Sequence, residues 1–154
     1  MKFTSALVSG LLATSASAAF DKWAPWGKRD YSCINVYQGV PENATLAANW
    51  PVEIGFNRNS GRCDAIYDQY PNSNYSVWLY NNPVRELGNV QADYQVRLRD
   101  GIPSDAGRVT VTLPSDLPEV DDDTVWYLRL DTWLPTAPQM PSFFNVQGPF
   151  RLVR

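Results

Sequence analysis

The chain has 154 residues, with 13 basic and 16 acidic side chains, a net charge of −3, two cysteines and no histidine. The acidic balance argues against nucleic acid or an anionic lipid surface as partner, because like charges repel. Without histidine there is no Ser-His-Asp or Cys-His catalysis and no imidazole metal site.

The N-terminus reads as an address. Met1-Lys2 precedes a short apolar, small-residue run from Ala6 to Ala13, then Ala16-Ser17-Ala18, the small-x-small pattern that signal peptidase cuts after. The run is too short to span a bilayer core of about 30 Å. Residues 1–18 are therefore expected to be a signal peptide ending at Ala18. Ten residues on, Lys28-Arg29 is the sole adjacent basic pair, of the kind that kexin-type proteases cut after. Residues 19–29 read as a propeptide; the alternative is a dibasic pair in an extension that is never cut. Residues 30–154 remain as one domain, long enough to bury a core of its own. Losing Lys2, Lys22, Lys28, Arg29 and Asp21 leaves nine arginines, no lysine and a net charge of −6. Schiff-base chemistry is then excluded as well.

Strands follow in order, each with period-2 alternation. Ser32–Val36 is a plausible first strand and Val52–Phe56 the next. Tyr75–Tyr80 puts Tyr75, Val77 and Leu79 on one face and Trp78 and Tyr80 on the other. Tyr94–Arg99 and Val109–Leu113 alternate cleanly. Thr124–Leu130 places Trp126, Leu128 and Leu130 together and leaves Arg129 opposite, where truncation is expected to cost much less than at Leu128. Phe150 and Leu152 close the series. Turn clusters separate the runs, among them Asn81-Asn82-Pro83 and Asp100-Gly101-Ile102-Pro103. No stretch is long and periodic enough to predict a helix. About seven short antiparallel strands point to an all-β, immunoglobulin- or fibronectin-III-like sandwich, because each strand offers one apolar face that a second sheet must cover.

In a secreted chain an even cysteine count reads as disulfides, so Cys33 and Cys63 are the one possible bridge. Asn43-Ala44-Thr45 and Asn74-Tyr75-Ser76 are glycosylation sequons. Asn43 is the better placed; Asn74 abuts an apolar strand, where access is expected to be poor. The C-terminal Phe150–Arg154 lacks the apolar tail of a GPI signal, and the product is expected to be soluble, monomeric and without a membrane anchor.

Five segments in this order carry a resemblance: Val52-Glu53-Ile54-Gly55-Phe56, Val77-Trp78-Leu79, Val111-Thr112-Leu113-Pro114-Ser115-Asp116-Leu117, Tyr127-Leu128-Arg129-Leu130 and Gly148-Pro149-Phe150-Arg151-Leu152. The pattern resembles the fungal Kre/Knh-type domain, the immunoglobulin-like module of yeast β-1,6-glucan synthesis proteins, over about residues 36–153. Phe56 stands where that pattern usually has Trp, and the Ser/Thr-rich tail is missing. The resemblance implies a fungal source, a sandwich, and association with the cell wall or its glucans. It carries over no catalytic residues.

Candidate binding residues are aromatic. Trp78, Tyr80 and Trp133 are each expected to present a ring to solvent, and a flat ring on a sandwich face stacks on a sugar. Trp126 reads as core, Trp78 as core or surface. Asp121-Asp122-Asp123 supplies too few ligands for a hard cation and reads as a solvated loop. No pair of carboxylates stands out as a glycosidase pair. The expectation is a non-catalytic protein without cofactor or metal that binds a wall polysaccharide. The alternative is an effector-like protein that binds a host protein, since a signal peptide, a dibasic site, small size and one disulfide suit both.

Overall fold

A computed structural model describes residues 33–58, 63–86, 89–135 and 143–154. The signal and propeptide boundaries at Ala18, Lys28 and Arg29 lie outside the described residues. Two sheets pack face to face in an all-β sandwich, as the alternation requires. In chain order the strands are β1 (Asn35–Gln38), β2 (Thr45–Ala47), β3 (Pro51–Asn57), β4 (Asn74–Asn81), β5 (Val84–Glu86), β6 (Asn89–Gln91), β7 (Tyr94–Pro103), β8 (Arg108–Thr112), β9 (Trp126–Thr132) and β10 (Phe144–Val153). One sheet has the order β1-β3-β8, the other β2-β10-β9-β4-β7, and β5-β6 is a separate hairpin. The ten described strands exceed the expected seven because β2, β5 and β6 are three residues each, too short to show alternation. The pairing is antiparallel except for β2, which runs parallel to β10.

The inner faces meet in one core. Val52, Ile54 and Phe56 of β3 and Val109 and Val111 of β8 pack against Tyr75, Val77 and Leu79 of β4 and Trp126, Leu128 and Leu130 of β9. Burying such side chains removes apolar area from water at about 25 cal/mol per Å², which drives the two sheets together. Trp126 is 0 % exposed, a core residue as read. Its indole Nε1 donates to Asp123 Oδ1 at 3.2 Å, so the one polar atom of the ring has a partner.

Strand β10 serves two faces. Phe144 and Val146 lie on the outer face of its sheet, whereas Phe150 and Leu152 enter the core. The pairing runs Gln147 to Leu128 and then Phe150 to Trp126, so β10 carries one extra residue there. A one-residue shift moves every later side chain to the other face. Gly148 sits at that bulge with φ +132, and a Cβ on it would lie 2.6 Å from the Trp126 carbonyl oxygen. Only glycine fits there.

Two expectations are corrected. Asp100-Gly101-Ile102-Pro103 is the end of β7, not a turn. The pairs Tyr75 to Ile102 and Val77 to Arg99 show an extra residue on β7, and Gly101 takes a left-handed φ of +66 there. The turn residues thus serve a bulge rather than ending the strand. A short helix, α1 (Asp64–Gln69), also occurs where none was expected; six residues are too few to show a helical period. Asp64 in its first turn suits the helix dipole.

Cys33 and Cys63 form the expected disulfide, with Cα atoms 5.7 Å apart. It joins the residue just before α1 to the segment leading into β1. Cys33, Cys63, Tyr67, Leu134 and Phe143 make a second buried cluster, and the Tyr67 hydroxyl donates to the Cys33 carbonyl at 3.2 Å. The bridge therefore anchors α1 against one end of the sandwich.

Candidate functional site

The outer face of the larger sheet is a ladder of aromatic and charged residues. Residues of β4 with even numbers point outward, and the register sets Ser76 opposite Asp131 and Trp78 opposite Arg129. On the other side of β4, Trp78 faces Arg97 and Tyr80 faces Gln95. Beyond β9, Arg129 pairs with Val146 and Asp131 with Phe144. This face forms a groove of about 560 Å³ lined by Asn74, Ser76, Trp78, Tyr80, Val90, Gln95, Arg97, Asp100, Arg129, Asp131 and Trp133. The three aromatic residues singled out from the sequence thus lie along one groove.

They differ in access. Trp133, just past the end of β9, is 60 % exposed. Trp78 is half-buried, with the Arg97 guanidinium 5.6 Å from its ring centroid. Tyr80 is 4 % exposed and does not present its ring to solvent. It packs with Tyr127, Phe144 and Val146 in a third buried cluster, with Val90 and Ala92 against it. Burial pushes the Tyr80 phenol above its ordinary pKa, against an opposing pull from the Arg129 charge. Tyr80 is a floor for Trp78, whose ring lies 6.1 Å away at 31°, rather than a contact surface.

The polar groups of the groove are bonded to one another. The Ser76 hydroxyl donates to Asp131 Oδ1 at 2.6 Å and accepts from the Trp78 indole at 3.3 Å. Arg129 Nε and Nη2 both donate to Asp131 Oδ2, at 2.9 and 2.6 Å. The Arg129 guanidinium also lies 4.9 Å from the Phe144 centroid and 5.3 Å from that of Tyr80. Contrary to the sequence expectation, Arg129 is buried, at 3 % exposure. Arginine has the planar, weakly hydrated head that suits such a position between rings and a carboxylate. At the rim, Arg97 pairs with Asp100 at 3.2 Å, and the Gly101 amide donates to Asp100 Oδ1.

A second hollow of about 500 Å³ lies near α1, lined by Phe56, Arg58, Pro71, Pro103 and Asp105 among others. Its cation is committed to the fold. Arg58 stacks 4.3 Å from the Tyr67 ring centroid and donates to Ser73 Oγ at 2.6 Å and the Tyr75 hydroxyl at 3.3 Å. Burial, then the neighbouring Tyr75, raises the Tyr67 pKa well above that of a free phenol.

The acidic loop is structural. Asp122 Oδ1 accepts from the backbone and hydroxyl of Thr124, which lowers its pKa. Asp123 Oδ1 accepts from Trp126 and from Arg154. Among the described residues there is no group of three or more candidate metal ligands and no helix long and apolar enough to cross a membrane. The asparagines of both sequons are exposed. Asn43 sits in a turn with φ 59 and its backbone N–H donates to the Pro149 carbonyl. Asn74 begins β4 and lines the groove, so it is more accessible than its apolar neighbours led one to expect.

Comparison with known proteins finds no family model, no curated protein and no solved structure that matches the chain. The Kre/Knh resemblance rests on the strand pattern of the sequence.

The sequence reading missed Arg97, Arg129, Asp131 and Ser76 as parts of this site. A signal was present: Ser76 shares the parity of Trp78, and Arg129 and Asp131 alternate with the core residues Leu128 and Leu130. Which outward rows lie side by side depends on strand order, which alternation does not encode.

Proposed function

We propose that this protein is a non-catalytic binder of neutral polysaccharide that works outside the cell, and that the groove on the larger sheet is its sugar site. The observation that carries the reading is the groove itself, with Trp133 exposed at one end, Trp78 half-buried along it, and planar polar side chains between them. An indole offers flat apolar area to the C–H face of a pyranose with little side-chain entropy to lose. Gln95, which lines the same groove, supplies hydrogen bonding for hydroxyls.

Charge pairing within the groove supports a neutral ligand. Arg129 is matched by Asp131 and Arg97 by Asp100, so an anionic sugar would have to compete with carboxylates already in place. The same pairing supports binding over hydrolysis. Both oxygens of Asp131 already accept from groups of the protein, and Asp100 is ion-paired with Arg97 and accepts from the Gly101 amide, whereas a glycosidase needs one carboxyl that holds a proton for the leaving group. The disulfide fits an oxidising compartment. The signal-like N-terminus and the Kre/Knh resemblance suggest a wall glucan.

A pull-down with insoluble β-glucan, chitin and mannan tests this. Retention on one of them that weakens in Trp133→Ala and Trp78→Ala, and that persists as salt rises, is the expected result, because stacking is not screened by ions. No retention on any polysaccharide, with capture of a specific host protein instead, overturns it.

A further inference from the structure

Asn74 stands at the end of the groove where Trp133 is exposed. Tyr75 pairs with Thr132 as the last rung between β4 and β9; Asn74, the first residue of β4, and Trp133, the residue after β9, flank that rung. Both residues line the groove. Asn74 is exposed, and its contact with β9 is through its backbone carbonyl, which accepts from Thr132 Oγ1 at 3.0 Å. Asn74 is also the acceptor position of the sequon Asn74-Tyr75-Ser76.

We propose that an N-linked glycan on Asn74 lies over the Trp133 indole and closes the groove, so that glycosylation at this one position sets whether the groove is open to a ligand from outside. The inference rests on the reading of the groove as a sugar site. The modification forms a bond from the Asn74 amide nitrogen to C1 of the first sugar. The bond from that C1 to the oxygen of a lipid pyrophosphate donor breaks, the lipid pyrophosphate leaves with the bonding pair, and the amide gives up one proton. The product is uncharged at the linkage, so the ion pairs of the groove are undisturbed. The first sugar is then held beside an exposed aromatic face of the kind that stacks on pyranoses. A tethered ligand on a short link acts at an effective concentration on the order of millimolar, and the rest of the glycan adds bulk over the groove. Asn43, in a turn beside Pro149, does not line this groove and serves as the control.

The test uses full-length protein from a glycosylating eukaryotic host, as wild type, Asn74→Gln and Asn43→Gln. Peptide mass establishes occupancy of Asn74. Hydroxyl-radical footprinting then reads Trp133 against Trp50, which is exposed to a similar degree, at 59 %, before β3. Trp133 labelling is expected to fall severalfold in wild type relative to Asn74→Gln, with Trp50 unchanged. Retention on whichever of insoluble β-glucan, chitin or mannan binds is expected to rise about tenfold in Asn74→Gln and stay level in Asn43→Gln, given tethered competition at millimolar effective concentration. An unoccupied Asn74, or an occupied one with equal Trp133 labelling in both proteins, overturns the inference. Protected Trp133 with no retention of any form on polysaccharide overturns the sugar-site reading and leaves the glycan contact standing.

Discussion

Arg129 shows how much a single side chain depends on its setting. Alternation alone puts it on the solvated face, yet it is enclosed by Tyr80, Phe144 and Asp131. Removing one member of a buried ion pair leaves the other uncompensated, at a cost of about 3–5 kcal/mol. Arg129→Ala is therefore expected to destabilise about as much as Leu128→Ala, for which loss of a core side chain costs about 2–5 kcal/mol. Denaturant melts of the two variants decide it; a near-neutral Arg129→Ala contradicts the burial. Polarity was legible in the sequence and burial was not, because it arises from rings on two neighbouring strands. Tyr67 makes a second prediction. Its folded pKa is raised by burial, so the stability this gives is complete below the ordinary phenol value of about 10 and is lost as pH climbs beyond it. Denaturation midpoints from about pH 8 to 11 should fall with pH, and Tyr67→Phe should flatten that fall even where it lowers stability throughout. An unchanged slope would mean that the Tyr67 phenol is not the group responsible.

Among the elements, strands long enough to alternate were legible and irregular ones were not. Val52–Phe56, Tyr75–Tyr80 and Val109–Leu113 each fall within a residue or so of an observed strand, because one side of each is buried and the other is not. α1, the three-residue strands and the bulges at Gly101 of β7 and Gly148 of β10 escaped, since each is either shorter than the period that would reveal it or breaks that period. The β10 bulge has the largest consequence, because it divides one strand between the outer cluster and the core. Gly148→Ala places a Cβ against the Trp126 carbonyl at a left-handed φ and is expected to cost at least about 2 kcal/mol, in the range of strained backbone positions. A thermal melt unchanged by Gly148→Ala would contradict this geometry.

For the molecule as a whole, the disulfide and the groove lie at different levels of legibility. Cysteine count alone identified the bridge, but not that it seats α1 on the end of the sandwich. Cys33→Ser is expected to cost roughly 2–4 kcal/mol, through loop closure and loss of that anchor; an unchanged denaturation midpoint would show that the bridge carries no stability. The aromatic excess drew attention to Trp78, Tyr80 and Trp133 one by one, as rings expected to face solvent, and did not show that they line one groove. It could not grade them, because exposure of each depends on the chain that packs beside it, and Tyr80 belongs to the floor. The central claim is that Trp133 and Trp78 hold a neutral sugar by stacking. It is tested most directly by binding isotherms of Asn74→Gln and Asn74→Gln/Trp133→Ala on the insoluble polysaccharide that retains the protein, at low and high salt. The account predicts that loss of the indole weakens binding about tenfold, or roughly 1.4 kcal/mol, with little change between the two salts. Equal isotherms for the two proteins, or binding that disappears at high salt, would contradict it.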